Sequence, residues 1–201
     1  MSKALKIMII GCGGNGSFLL RHLHRLIKKD QLPANAEFVL YDNDTVEKKN
    51  LLYQDFEIKD VLDNKAEVMA ARYDMIAKNK RVKDSKEFDP FDIVIVAVDN
   101  PDLRELLYRY MDKHPEKYWI DVRAEGRAVS IYTKHRNNTL AKLLETLPKS
   151  SEGVSTSCQL AYELDSGIIQ MGNQIAAVIT AQLLLNHLRG EENSDEFTHM
   201  F

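Results

Sequence analysis

The stretch Gly11-Cys12-Gly13-Gly14-Asn15-Gly16-Ser17 decides the fold of this chain. It follows the apolar run Leu5–Ile10 and opens a helical pattern, and in that context a Gly-x-Gly-x-x-Gly spacing predicts a phosphate-binding turn. Gly11 allows the tight turn, Gly13 lets a phosphate approach the backbone, and Gly16 lets the helix pack closely against the strand. The free N–H groups at the start of the helix then face an anion.

Composition and charge exclude several classes of protein. The 201 residues fit one domain, and 28% charged and 44% hydrophobic residues are typical of a soluble globular protein. The net charge of −3 gives no electrostatic reason to expect a nucleic-acid partner. The first strand begins too early to leave room for a signal peptide, and no apolar run approaches the roughly 20 residues of a membrane span. We therefore expect a cytoplasmic protein with no membrane partner.

The 2 cysteines, Cys12 and Cys158, have neither a zinc-site spacing nor the number that a disulfide framework requires. We expect no zinc.

Alternating strand and helix patterns predict an α/β fold with a Rossmann-like, doubly wound, mostly parallel sheet flanked by helices and a less regular C-terminal third. The strands are predicted at residues 6–10, 37–41, 82–88, 92–98, 118–122 and 128–132. The helices are predicted at 15–29, 64–79, 101–114, 140–147 and 172–189. Residues 1–190 are expected to form a single domain, and 191–201 a frayed acidic tail.

Asp42 ends the second predicted strand, where an acidic residue can accept hydrogen bonds from ribose hydroxyls. The same side chain could also cap a turn. The glycine turn and Asp42 taken alone fit an NAD-dependent oxidoreductase.

Three further motifs follow the glycine turn in order. They are Asp42-Asn43-Asp44-Thr45-Val46-Glu47-Lys48-Lys49-Asn50-Leu51-Leu52-Tyr53-Gln54, Asn64-Lys65-Ala66-Glu67 and Asp99-Asn100-Pro101-Asp102-Leu103-Arg104. The set resembles the ThiF/MoeB family of adenylating enzymes, which are related to ubiquitin-activating enzymes. The resemblance extends from about Met8 to Arg104, and more loosely through Cys158 and the last long helix.

The resemblance implies that the chain binds ATP with magnesium and joins a carboxylate to its α-phosphate, releasing pyrophosphate. The carboxylate would be the C-terminus of a small ubiquitin-like or sulfur-carrier-like protein, and the chain would form a homodimer or a heterodimer with a related subunit. The resemblance implies catalytic roles for Lys65, Asp99 and Cys158, with Asp99 as the magnesium ligand. The nucleotide-binding residues would be Gly11, Gly13, Gly14, Gly16, Asp42, Asp44, Asn50, Gln54, Lys65 and Arg104.

Several of these residues have a second interpretation. Lys65 would ordinarily be a solvated side chain at a helix start. Asp99 and Asn100 could cap the next helix, and we assign that role to Asn100. Arg104 could pair with Asp99, and Cys158 could be an inert thiol rather than a nucleophile.

The chain departs from the family pattern at two places in the motifs. Tyr53 stands where the family has an arginine, and a phenol cannot replace a permanent guanidinium charge. The stretch Asp63-Asn64-Lys65 lacks the usual glycine. The paired cysteines that hold zinc in many members are also missing. We expect no N-terminal helical extension of the kind that is common in the family. These departures keep open a second interpretation, a nucleotide-binding scaffold subunit of an activating complex that has weak or no activity.

Overall fold

The computed structural model describes residues 3–148 and 166–201. Its sheet has 7 strands in the order β3-β2-β1-β4-β5-β6-β7. The strands are β1 (Leu5–Ile10), β2 (Ala36–Tyr41), β3 (Ile76–Lys78), β4 (Ile93–Val96), β5 (Tyr118–Glu125), β6 (Ala128–Thr133) and β7 (Glu196–Met200). Pairing from β3 to β5 is parallel, whereas β6 and β7 are antiparallel additions. The predicted α/β, Rossmann-like and mostly parallel sheet is confirmed.

Helices cover both faces of the sheet, as a doubly wound fold requires. They are α1 (Gly14–Ile27), α2 (Lys65–Tyr73), α3 (Pro101–Lys113), α4 (Leu140–Glu145) and α5 (Gly172–Arg189). None of the helices within residues 3–148 and 166–201 is long and apolar enough to cross a membrane.

Alternate residues of each strand supply two separate cores. Ile7 and Ile9 of β1 face α1, α2 and α5, in a cluster that includes Leu20 and Leu184. Their neighbour Met8 faces the other way, toward α3 and α4. Side chains on successive strand residues point to opposite faces, so a central strand with helices on both sides is apolar throughout.

Local signals set several helix ends. Asn100 is the N-cap of α3 and accepts a hydrogen bond from the backbone N–H of Leu103 at 3.1 Å, and Pro101 follows at the first helical position. Gly190 ends α5 with a left-handed φ of 70°.

Three sequence-based expectations are wrong. The helix predicted at 64–79 ends at Tyr73, because Asp74 adopts a left-handed φ of 57°, and the apolar residues after it form β3. The strand predicted at 82–88 is instead a 3-10 helix, Ser85–Phe88, capped by the side chain of Asp84. The tail predicted to fray contains β7, which pairs with β6 and extends the sheet.

Candidate functional site

The candidate site lies at the carboxyl edge of the parallel strands, where open α/β sheets bind ligands. The glycine turn follows β1, Asp42 follows β2, and Asp99 lies three residues beyond β4. These segments enclose a cavity of about 330 Å³, which we call the turn cavity. It is lined by Gly11, Gly13, Gly14, Asp42, Asp44, Glu47, Lys49, Asn50, Tyr53, Gln54, Lys65, Ala97, Val98 and Asp99.

The glycines of the turn differ in what surrounds them. Gly11 has a φ of 95°, a conformation that side chains disfavour, and its N–H donates to the carbonyl of Tyr41 at 2.9 Å. A Cβ on Gly16 would lie 1.9 Å from the carbonyl oxygen of Gly11. A Cβ on Gly13 would meet nothing closer than the Gln54 amide at 3.8 Å. Gly13 therefore leaves an open cradle, whereas Gly16 is needed for close packing below the turn.

Asp42 holds the turn and also faces the cavity. Its carboxylate accepts backbone N–H groups from Cys12 at 2.7 Å and Asp44 at 2.9 Å. Burial raises the pKa of this carboxyl above its usual range, and the two hydrogen bonds and the charge of Lys65 oppose that shift. Asp42 therefore caps the turn, as one of the two interpretations of the sequence predicts, and it also lines the cavity.

Lys65 is the first residue of α2, and it is only 7% exposed. Its Nζ lies 3.7 Å from a carboxylate oxygen of Asp44, and its N–H donates to the carbonyl of Asp44. Asn64 caps α2 and donates to the carbonyls of Asp42 and Asp44, a role that the motif around Lys65 does not predict. The signal for it was the Asn64-x-x-Glu67 spacing, which is typical of a helix start. Asn64 therefore fixes the start of α2, and with it Lys65, against the strand end that carries Asp42.

The 3-10 helix Lys48–Leu52 forms another wall of the cavity. Asn50 is 2% exposed, and its amide accepts from the N–H of Glu47 at 2.9 Å and donates to the hydroxyl of Tyr53 at 3.2 Å. Tyr53 is itself 8% exposed. Asn50 and Tyr53 thus bind each other within this wall.

Arg104 lines a neighbouring cavity of about 250 Å³, which shares Val98 and Asp99 with the turn cavity. The Nε of Arg104 donates to the fully buried carboxylate of Asp121 at 2.9 Å, and its guanidinium also donates to the carbonyl of Val98 at 2.6 Å. Arg104 therefore connects a buried ion pair to the segment that carries Asp99.

Nine of the proposed side chains and glycines meet in the turn cavity: Gly11, Gly13, Gly14, Asp42, Asp44, Asn50, Gln54, Lys65 and Asp99. Gly16 lies beneath the turn, and Arg104 lies in the adjoining cavity. Cys158 is outside the described residues. Cys12 is fully buried, and burial raises the pKa of its thiol well above the usual range. Cys12 is therefore a packing residue at neutral pH.

Asn15 and Asn173 are further polar residues at the turn that sequence reasoning missed. They are 3% and 1% exposed, respectively. Their side-chain oxygens, like that of Gln54, have no hydrogen-bond partner among residues 3–148 and 166–201. Buried amide oxygens without partners beside the glycine turn fit a site that takes a polar ligand such as a nucleotide. No sequence signal marks Asn173, which approaches the turn from α5.

No cluster of three or more His, Cys, Asp or Glu side chains in the described part of the chain could hold a metal ion by itself. Magnesium commonly takes one or two carboxylates together with substrate phosphates, so a single carboxylate such as Asp99 fits a metal that is bound with a nucleotide.

Comparison with known proteins agrees with this architecture. The crystal structure of E. coli MccB with succinimide superposes with a TM-score of 0.68 at 20% identity, over 98% of this chain and 61% of that one. The microcin C7 biosynthetic enzyme MccB in complex with N-formylated MccA gives a TM-score of 0.69 at 18% identity, over 98% of this chain and 62% of that one. The crystal structure of PaaA superposes with a TM-score of 0.67 at 14% identity, over 98% of this chain and 61% of that one.

The chain thus spans about three fifths of the length of these proteins. No curated protein sequence matches it. A model of the ThiF family matches residues 2–201. This chain therefore belongs to the ThiF family.

Proposed function

We propose that this protein uses ATP to adenylate a carboxylate, the C-terminus of a small ubiquitin-like, carrier-like or peptide substrate. One observation carries the proposal: the glycine turn, Asp42, Lys65 and Asp99 line a single cavity. The carboxylate oxygen would form a bond to the α-phosphorus of ATP, and the bond from that phosphorus to the bridging oxygen would break. The products are an acyl adenylate and pyrophosphate, which keeps the electron pair of the broken bond.

Each residue has a role that suits its position. Asp42 accepts hydrogen bonds from the ribose hydroxyls, and the N–H groups of the turn meet the phosphates. Lys65 neutralises phosphate charge, which grows on the leaving pyrophosphate. Asp99 holds magnesium, which supplies Lewis-acid stabilisation of the phosphates when bound. Arg104 holds Val98, and through it the position of Asp99.

The substrate class rests on family membership and on the solved neighbours. One neighbour is MccB in complex with N-formylated MccA, and another is E. coli MccB with ATP. We propose that this chain likewise takes ATP and the C-terminus of a small partner. We also propose that the Cys158 thiol loses its proton and attacks the carbonyl of the acyl adenylate, so that a thioester forms, the bond from the carbonyl carbon to the phosphate oxygen breaks and AMP leaves. ATP as the substrate favours the cytoplasm.

We also propose a dimer, either of two copies of this chain or with a related subunit. Val178 of α5 is 51% exposed and offers an apolar contact on that helix. Sedimentation of the purified chain, alone and with its partner, measures the oligomeric state.

The direct test of adenylation is exchange of labelled pyrophosphate into ATP, measured with a panel of small proteins ending in Gly-Gly and of short peptides with free C-termini. Exchange should require the carboxylate and magnesium, and it should be lost in Asp99→Asn. Absence of exchange with every carboxylate, despite ordinary ATP binding, would contradict the catalytic proposal. Parallel titration with NAD tests the oxidoreductase alternative, which predicts tighter binding of NAD than of ATP.

The neutral, buried side chain of Tyr53 favours the scaffold as a second candidate, because no guanidinium stands at this position of the cavity wall. A scaffold would bind ATP and its partner subunit without exchange, and Asp99→Ala would leave complex formation intact. Gain of exchange in Tyr53→Arg would identify the lost charge as the cause.

A further inference from the structure

The side chains that line the turn cavity carry more negative than positive charge, which disfavours the binding of a polyanion. Its lining holds the carboxylates of Asp42, Asp44, Glu47 and Asp99, and among the described residues its cations are Lys49 and Lys65. A triphosphate adds further negative charge to a site where carboxylates already outnumber ammonium groups. Beside the magnesium and the turn N–H groups proposed above, a cation of the wall that turns from a carboxylate toward the phosphates would favour ATP binding.

Lys65 is the less adaptable of the two cations. Its side chain is 9% exposed, and its backbone is fixed at the start of α2. Its charge acts on Asp42, which would hold the ribose. Lys65 is therefore a fixed cation near Asp42, suited to the phosphates between which the bond to pyrophosphate breaks.

Lys49 is the more exposed of the two cations. Its side chain is 63% exposed and its Nζ lies 3.0 Å from Glu47, whose side chain is 57% exposed. The capping box formed by Glu47 and Asn50 fixes the backbone on both sides of Lys49. Lys49 therefore has a fixed backbone position on the cavity wall and a solvent-exposed ammonium group. An exposed ion pair contributes little free energy, so a phosphate that carries more charge than a carboxylate can displace Glu47 at low cost.

The position of this wall indicates which part of the nucleotide Lys49 would meet. The Gln54 amide, which follows the same 3-10 helix, lies beside Gly13, where the phosphates would pass the turn. Lys49 is on that helix, and Tyr53 at its end brings no charge. We propose that Lys49 exchanges Glu47 for the outer phosphates of bound ATP and is the second phosphate-binding cation of the site. This inference rests on the proposed binding of ATP in the turn cavity.

The test compares Lys49→Gln with Lys48→Gln, an adjacent and exposed lysine that does not line the cavity. Calorimetric titration with ATP and with AMP, at constant magnesium, measures the affinity for each. We expect Lys49→Gln to weaken the binding of ATP about fivefold and the binding of AMP less than about twofold. Lys48→Gln should change either affinity by less than about twofold. Raising the salt concentration should shrink the ATP difference.

Glu47→Gln should change the affinity for ATP in the opposite direction. It releases Lys49 from its carboxylate, so ATP should bind about threefold more tightly, and the gain should vanish in Glu47→Gln/Lys49→Gln. Equal losses for Lys48→Gln and Lys49→Gln, or equal losses of ATP and AMP affinity in Lys49→Gln, would overturn the role of Lys49. ATP binding that depends on Lys49, without pyrophosphate exchange, would overturn only the proposed adenylation. Failure of the unmodified chain to bind ATP would overturn both.

Discussion

The side-chain amide of Asn173, at the start of α5, donates to the backbone carbonyl of Tyr53 at 3.4 Å, across 120 residues of sequence. The same amide lies against the glycine turn, since a Cβ on Gly14 would be 2.6 Å from its nitrogen. Asn173 therefore joins α5, the turn and the wall that carries Asn50 and Tyr53. The last long helix thus contacts the candidate site directly.

This contact predicts a pair of coupled substitutions. Gly14→Ala should lower the free energy of unfolding by about 2 kcal/mol, because the new methyl group collides with the Asn173 amide rather than with the backbone. Asn173→Ala removes the amide, so the double variant should be more stable than the sum of the two single effects by about 1 kcal/mol. Denaturant unfolding of the four proteins measures the coupling. Additive losses would show that the collision is relieved elsewhere.

Much of the site could be predicted from the sequence because its residues follow strand ends. The carboxyl ends of parallel strands meet at one edge, so residues such as Gly13, Asp42 and Asp99 converge wherever the strands are correctly placed. The bounds of α5 could be predicted for a similar reason, since a long apolar helix that ends at Gly190 has clear limits.

The remaining features depend on tertiary contacts that leave no local pattern. Apolar residues beyond Tyr73 suit a helix as well as a strand, and only the left-handed Asp74 separates α2 from β3. The tail carries acidic residues, yet β6 offers a free edge with which β7 pairs. The motif position of Arg104 predicts a contact with the nucleotide, but in the structure its guanidinium binds Asp121 of β5. That partner lies outside the motif, so the motif does not predict it.

The glycines at positions 13 and 16 should respond differently to the same methyl group. Gly16→Ala places Cβ 1.9 Å from the backbone oxygen of Gly11, which cannot rotate away, so a loss of about 4 kcal/mol or failure to fold is expected. Gly13→Ala meets only ordinary contacts and should keep its stability, while its methyl group enters the phosphate cradle and weakens ATP binding. Thermal unfolding and ATP titration distinguish the two effects. A stable Gly16→Ala variant would contradict the packing below the turn.

Lys65→Met should impair chemistry far more than folding. The change removes a buried ammonium whose carboxylate neighbour, Asp44, has a side chain that is 60% exposed and can be solvated instead. We expect pyrophosphate exchange to fall at least about 100-fold, because the charge on the leaving group loses its fixed cation. Exposed Lys59, with a side chain that is 70% exposed, gives the matched control Lys59→Met. Equal exchange rates in the two variants would exclude a catalytic role for Lys65.

Asp42 should give stability a recognisable pH dependence. Burial raises the pKa of the folded carboxyl above its ordinary value of 3.8, so the folded state holds this proton more tightly than the unfolded state does. As the pH rises from about 3.8 through the higher folded pKa, this carboxyl therefore lowers the free energy of unfolding.

The contribution is measured as the difference between the unmodified chain and Asp42→Asn across that pH range. The difference should change by less than about 2 kcal/mol and then level off at neutral pH. Adenosine has no phosphate to titrate, and its affinity for the unmodified chain should fall as Asp42 becomes protonated. A difference that does not vary with pH would show that the backbone hydrogen bonds to Asp42 outweigh its burial.

The buried cluster around Asp121 predicts an order of stabilities. Asp121 accepts from the Nε atoms of Arg104 and Arg123, each at 2.9 Å, and from the hydroxyl of Tyr108. Asp121→Asn removes the carboxylate that balances two guanidinium groups, and we expect it to cost about 3–5 kcal/mol. Arg104→Met should cost less, because Arg123 and Tyr108 still bind the carboxylate.

Denaturant unfolding measures this order of stabilities. A separate titration of Arg104→Met with ATP shows whether Arg104 acts by holding Val98 or by contact with the nucleotide. A positioning role predicts a loss of ATP affinity of less than about fivefold, because the guanidinium already binds Asp121 and Val98. A loss of about 100-fold would instead require direct contact with phosphate. Equal destabilisation by Asp121→Asn and Arg104→Met would show that Arg123 does not compensate the charge of Asp121.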